Sequence, residues 1–315
     1  MRFSLWLWPY HRWHDTKTMI RAAQRAEQIG FHSVTVSDHI ICPTGPEAAG
    51  VTPLWNDWSV LSTALACNTS RLRIVSCLVV PYRHPVSVAK QIASIDQVSD
   101  GRFTLAAASG WLQTEFTMLR VPRAKRADIT DEYLRAMRAL WTEDAPTFSG
   151  TYVEFSNIVF QPRCVQAPHV PIWIAGGWAP RPIRRLVELG DGWMPMGGGL
   201  EDGLADKVLR IKDEAARAGR APEALEFRYT IGIGRPEQSL SAISSSIGVA
   251  QPTAVGSLES ADEVATAVER YQQAGFTELA INFSGQTAEE CFEQLDWFGA
   301  EVMPMLDPEP RGNAS

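Results

Sequence analysis

The chain has 315 residues, 45% of them hydrophobic and 21% charged, with a formal net charge of −7 at pH 7. This composition excludes a disordered tail, a collagen-like chain and a small disulfide scaffold. The acidic balance argues against a general nucleic-acid binder or a polybasic membrane binder, and no apolar run reaches the ~18 residues that a spanning helix needs.

Strand-like runs alternate with helical stripes along the chain. Strands are expected near 2–8, 33–37, 72–80, 102–108, 170–175, 191–196, 226–233 and 277–283. They are short, β-branched or aromatic, and nearly continuous in apolar residues, as in parallel strands covered on both faces. Between them, Met19, Ala22, Ala23, Ala26 and Ile29 share one helical face. Val88, Ile92 and Ile95 do the same, as do Leu134, Met137, Leu140 and Trp141. Ile183, Leu186 and Val187, then Val264, Ala267, Val268 and Tyr271, then Phe292, Leu295, Phe298 and Val302 repeat the 3.6-residue period. Ser260 with Glu263, and Thr287 with Glu290, have capping-box spacing. Gly30, Gly190 and Gly275 stand where helices give way to strands, and a glycine there can end a helix in the left-handed conformation.

Eight strands with intervening helices fit a (β/α)8 TIM barrel. A doubly wound sheet would carry G-x-G-x-x-G after its first strand, where this chain has Trp6-Leu7-Trp8-Pro9-Tyr10. One barrel domain is expected over 1–306, with insertions near 145–169 and 234–259 and a frayed tail at 307–315. The five cysteines are scattered, with no C-x-x-C, so a reducing cytoplasm and buried thiols are expected. The chain starts on strand-like sequence, and no secretion leader is visible.

In such barrels the chemistry sits at the C-terminal ends of the strands. There the sequence places Trp6 and Trp8; Ser37, Asp38 and His39; Ser76 and Cys77; Ser109, Gly110 and Trp111; Ala175, Gly176 and Gly177; Trp193; and Asn282. The Ser109-Gly110 and Gly176-Gly177 turns can cradle an anion on backbone N–H groups. Arg181, Arg184 and Arg185 can pair with an anionic tail, or can simply form a solvated face. His39 is the acid/base candidate, because imidazole titrates near neutrality. Asp38 either orients His39 or bonds a loop. His84 reads as a helix cap. No metal site is expected, because the histidines lack ligand spacing. G-x-S-x-G and G-x-x-x-x-G-K-[ST] are both missing, which disfavours a serine hydrolase and a P-loop enzyme.

Taken together, several strings resemble the luciferase-like oxidoreductases. They are Val79-Val80-Pro81-Tyr82-Arg83-His84-Pro85, Asp100-Gly101-Arg102-Phe103, Ser109-Gly110-Trp111…Glu115-Phe116, Arg138-Ala139-Leu140-Trp141, Pro171-Ile172-Trp173-Ile174-Ala175-Gly176-Gly177 and Leu189-Gly190-Asp191-Gly192-Trp193. The branch most resembled is the one using coenzyme F420, with the FMN-dependent monooxygenases as the alternative. The resemblance implies a barrel whose C-terminal mouth holds the cofactor ring, with phosphate on the amides of Gly176, Gly177 and the Ser109-Gly110 turn. It implies a non-prolyl cis peptide at Ser76–Cys77 backing the ring. It also implies a role for His39 in proton transfer or ring positioning, a homodimer, and a separate cofactor reductase. Where the family's sugar-phosphate dehydrogenase has a glutamate after the strand-four glycine, this chain has Trp111. An apolar or aromatic small-molecule substrate is therefore expected, lined by Trp6, Trp8 and Trp193. A flavin-binding barrel without turnover is the remaining alternative.

Overall fold

The computed structural model describes residues 1–44, 52–196, 203–233, 253–254 and 260–306. In chain order the strands are β1 (Arg2–Trp6), β2 (Ser33–Ser37), β3 (Arg73–Val79), β4 (Phe103–Ala108), β5 (Phe148–Ser149), β6 (Glu154–Phe155), β7 (Ile172–Ala175), β8 (Gly192–Met194), β9 (Glu226–Ile233), β10 (Thr253–Ala254) and β11 (Glu278–Phe283). Eight of them close a parallel barrel in the order β1-β2-β3-β4-β7-β8-β9-β11, with β11 returning to β1. All eight expected strands are present, most of them trimmed by one to three residues at their ends. β5 and β6 form an antiparallel hairpin inside the expected 145–169 insertion. Most of the 234–259 insertion and the 307–315 tail lie outside the described residues.

Helices α1 (Thr16–Ile29), α2 (Trp58–Asn68), α3 (Pro85–Val98), α4 (Gln113–Met118), α5 (Arg126–Thr142), α6 (Pro180–Leu189), α7 (Leu204–Arg217), α8 (Ala261–Gln273) and α9 (Ala288–Trp297) complete the units. Their apolar stripes face the barrel: Met19, Ala22, Ala23 and Ala26 of α1 and Leu134, Met137 and Leu140 of α5 are almost wholly buried. Burying one such leucine or methionine side chain contributes about 1.5–3 kcal/mol before entropy is counted. Ser260 and Thr287 accept hydrogen bonds from the Glu263 and Glu290 N–H groups, as their spacing predicted.

Gly30 and Gly275 end helices in the left-handed conformation, at φ 105° and 93°. Gly190 does not, having φ −96°. Packing is its constraint, since a Cβ there would lie 2.8 Å from Ile174 Cγ1. His84 is the N-cap residue of α3, but its side chain makes no capping bond. The cysteines only partly meet expectation: Cys291 is buried, whereas Cys67, near the end of α2, is exposed.

The barrel lumen has two levels. Near the N-terminal end, Arg2 and Arg73 pair with Glu226, and Arg228 lies against Glu278 and Thr35. Above them Val75, Ala106, Trp173, Ala175 and Met194 pack together, with Cys77, Ala108 and Met196 against them. Small side chains thus dominate the upper ends of β3, β4 and β7.

Candidate functional site

Strand alternation sets which residues face the mouth. Trp6 is at the C-terminal end of β1 and Ser37 at that of β2, and Trp6 Nε1 donates to Ser37 Oγ at 2.9 Å. Trp8 stacks on Trp6 with ring centroids 5.3 Å apart. Cys77 belongs to the lumen cluster, and burial pushes its thiol pKa up to about 12.

Beyond β2 the chain is clamped. The buried Asp38 carboxylate accepts both Arg83 terminal nitrogens, at 2.7 and 2.8 Å, and the Val79 N–H at 3.2 Å. Burial raises the Asp38 pKa, with the Arg83 fork pulling against it. Asp38 therefore bonds the loop after β3, and His39 is oriented by a different residue. That residue is Glu115 of α4, whose Oε2 lies 2.8 Å from His39 Nδ1. Glu115 Oε1 accepts the Ile40 and Ile41 N–H groups at 2.5 and 3.3 Å.

The Glu115 side chain is fully buried, and that of His39 keeps 12% exposure. Burial alone raises the Glu115 pKa. The His39 hydrogen bond and charge, with the Ile40 N–H, outweigh it and leave the carboxyl below its usual value. The Tyr82 hydroxyl faces Glu115 without a bond of ordinary geometry, and burial with that nearby charge raises its pKa. The His39 ring rests against Trp55 and Trp111, at centroid distances of 4.7 and 5.9 Å.

α4 sits where it does because of Gly110. This residue has φ +79°, and a Cβ there would lie 2.6 Å from Val79 Cγ1 and 3.0 Å from Phe116 Cζ. Glycine thus lets Phe116 seat on Tyr82 and turns Glu115 toward His39. Ser109 is held from behind: Arg185 Nη1 donates to its Oγ at 3.0 Å, and Thr130 Oγ1 lies 3.2 Å away.

Among the described residues, the N–H groups of Ser109, Gly110 and Trp111 meet no acceptor, nor do those of Gly177 and Trp178. Gly176 differs, because its N–H donates to Met194 O at 3.2 Å. The start of α6 offers little more. Pro180 and Pro182 have no N–H, which leaves Arg181 as the one orphan donor of the first turn. The two sets of free amides suit a phosphate or another anion, and they flank a floor of small side chains.

Some expected site residues hold other contacts. Arg181 is forked onto Asp131 and Asp128, at 2.7 and 2.6 Å through Nη2. The Ser76 side chain faces α2, 2.7 Å from Ser62 Oγ. Trp193 is fully buried, donates to Gly176 O at 3.1 Å and lies under Trp178. The Ser76–Cys77 peptide is trans, the cis bonds among the described residues being Trp8–Pro9, Gln161–Pro162 and Ala167–Pro168. β3 keeps its register through this point, with Ser76 opposite Val36 and Leu105 and Cys77 opposite Ser37 and Ala106, so the strand makes no bulge. Among the described residues, no cluster of three metal-ligating side chains occurs, and no helix is long and apolar enough to cross a membrane.

The sequence model of the luciferase-like monooxygenase family matches residues 1–236. An uncharacterized protein of Mycobacterium tuberculosis is 32% identical over 216 residues, covering 64% of this chain and 75% of its own length. The FMNH(2)-dependent dimethylsulfone monooxygenase of Pseudomonas putida is 28% identical over 198 residues, 62% of this chain and 54% of its own. Among solved structures, a monooxygenase from Streptomyces bottropensis superposes with a TM-score of 0.79 at 22% identity, covering 97% of this chain and 99% of that chain. The coenzyme F420 dependent tetrahydromethanopterin reductase from Methanopyrus kandleri superposes at 0.76 and 17% identity, with 97% and 99% covered. At these identities the structures speak for the barrel fold alone.

Proposed function

Since the chain belongs to the luciferase-like monooxygenase family, we propose that it is an oxidoreductase whose barrel mouth binds a tricyclic flavin-type cofactor, coenzyme F420 in the first reading, beside a small apolar or aromatic substrate. The observation that carries this reading is the His39–Glu115 pair standing at the same barrel end as two sets of free backbone amides. When bound, the cofactor supplies the hydride or oxygen chemistry that side chains lack.

The chain's own residues do the rest. The amides of Ser109, Gly110 and Trp111, with those of Gly177 and Trp178, hold the cofactor's phosphate. Cys77, Ala108 and Ala175 leave room for a flat ring, and the Cys77 thiol stays protonated. Trp6, Trp8, Trp55 and Trp111 exclude water and stack on apolar surface. His39 has no partner at Nε2 among the described residues, and this is the atom that holds or passes a proton.

A second reading, FMN with a reduced-flavin monooxygenase reaction, draws on the dimethylsulfone monooxygenase relative. Titrating the purified protein with F420 and with FMN, and following fluorescence quenching, separates the two. Saturable binding of F420 supports the first reading, FMN binding alone moves the chain to the second, and binding of neither overturns both.

A further inference from the structure

We infer that Glu115 is a positioning residue that locks the proton of His39 on Nδ1, so that Nε2 is the single ring atom at which this histidine gains or loses a proton. The inference rests on the reading of His39 as the proton carrier.

The donors and acceptors around Glu115 leave little choice. An ionised carboxylate only accepts hydrogen bonds. Glu115 Oε1 already receives the Ile40 and Ile41 amides, at 2.5 and 3.3 Å. Oε2 faces Nδ1 at 2.8 Å, so the proton in that contact belongs to His39. The carboxyl lies below its usual titration range, which keeps it ionised near neutral pH. The two amides matter in a second way. They spread the Glu115 charge over the backbone, so the buried carboxylate stays satisfied when His39 is neutral as well as when it is charged. A proton leaving a substrate O–H or N–H therefore lands on Nε2, and the resulting imidazolium is compensated by Glu115. The reverse transfer returns the same proton to the substrate. Trp55 and Trp111 fix the plane of the ring during this exchange.

Glu115→Gln tests the inference, because it keeps the shape and reverses the hydrogen-bond sense. The Ile40 and Ile41 amides retain the glutamine carbonyl oxygen at the Oε1 position. The amide NH₂ then takes the place of Oε2 and donates to Nδ1, which forces the neutral ring to carry its proton on Nε2. Nitrogen-15 NMR of histidine-labelled full-length protein, with His39 assigned by its loss in His39→Asn, reads the tautomer directly. The native protein and Glu115→Asp are expected to show protonated Nδ1 and bare Nε2, and Glu115→Gln the opposite. Turnover in Glu115→Gln is expected to fall about a hundredfold or more, with cofactor affinity retained. A native spectrum with the proton on Nε2, or a Glu115→Gln spectrum with it still on Nδ1, overturns the inference. The native spectrum decides even if Glu115→Gln does not fold. It also needs no cofactor, so failure here and failure of the cofactor reading are separate results.

Discussion

Arg83 grips both oxygens of Asp38, at 2.7 and 2.8 Å, and Asp38 immediately precedes His39. The turn after β3 thereby fixes the exit of β2 and aims the histidine at Glu115. Arg83→Met leaves a fully buried carboxylate without its counter-charge. Urea unfolding is expected to show a loss of about 2–3 kcal/mol. This is below the figure for a fully buried pair because Arg83 keeps 19% exposure. Catalytic turnover should fall along with stability. An unchanged unfolding midpoint would mean that the clamp is decorative.

Arg181 and Arg185 share Asp131 but differ in burial, with side-chain exposures of 37% and 3%. Arg185 also donates to Ser109 Oγ and to Ala127 O, at 3.0 and 3.1 Å. Arg185→Met is expected to destabilise by about 3 kcal/mol and to loosen the Ser109 turn. Arg181→Gln should cost less than about 1 kcal/mol. Cofactor affinity should be unchanged in Arg181→Gln, because the guanidinium is already engaged. A tenfold weaker affinity in that variant would show that Arg181 leaves its carboxylates for the cofactor.

The two glycine turns should respond differently to added side chains. Gly110→Ala places a Cβ against Val79 and Phe116 at φ +79°. It is expected to cost more than about 1 kcal/mol and to displace Glu115. At Gly177 a Cβ meets, among the described residues, only the Met196 carbonyl, at 3.0 Å. Gly177→Val should therefore fold with a smaller loss and bind cofactor more weakly, as measured by fluorescence titration. Native affinity in that variant would remove Gly177 from the phosphate cradle.

Much of the architecture was legible because it depends on local pattern. Short, near-continuous apolar runs marked all eight barrel strands, 3.6-residue hydrophobicity marked the helical faces, and the Ser260 and Thr287 caps followed from spacing. The site was legible only as a set of positions. His39 meets Glu115 across 76 residues of sequence, and Asp38 meets Arg83 across 45. No periodicity reports such pairs. One signal did exist for Glu115: an acid beside the apolar Leu112 and Phe116, both of which are buried. The role expected for Arg181 missed its partners for the same reason, since Asp128 and Asp131 lie on a different helix. The cis Ser76–Cys77 bond was expected from the resemblance alone, and β3 instead runs trans through it with unbroken register.

Acid should expose the Glu115 network. Its pKa is depressed in the folded state, so its stabilisation is present above the unfolded value of about 4.3. That stabilisation is lost as pH falls through the lower folded value. The gap in melting temperature between the native protein and Glu115→Gln should therefore narrow as the pH is lowered from 6 to 3. A gap that stays constant over this range would show that Glu115 is not depressed.

A crystal structure with bound cofactor is the most direct measurement of the central claim. The ring should rest over Cys77, Ala108 and Ala175 with His39 Nε2 turned toward it or toward a substrate on its face. The phosphate should lie on the amides of Ser109–Trp111 or Gly177–Trp178. A ring bound anywhere else on the barrel, or at the mouth with His39 turned away from both ring and substrate, would contradict the account.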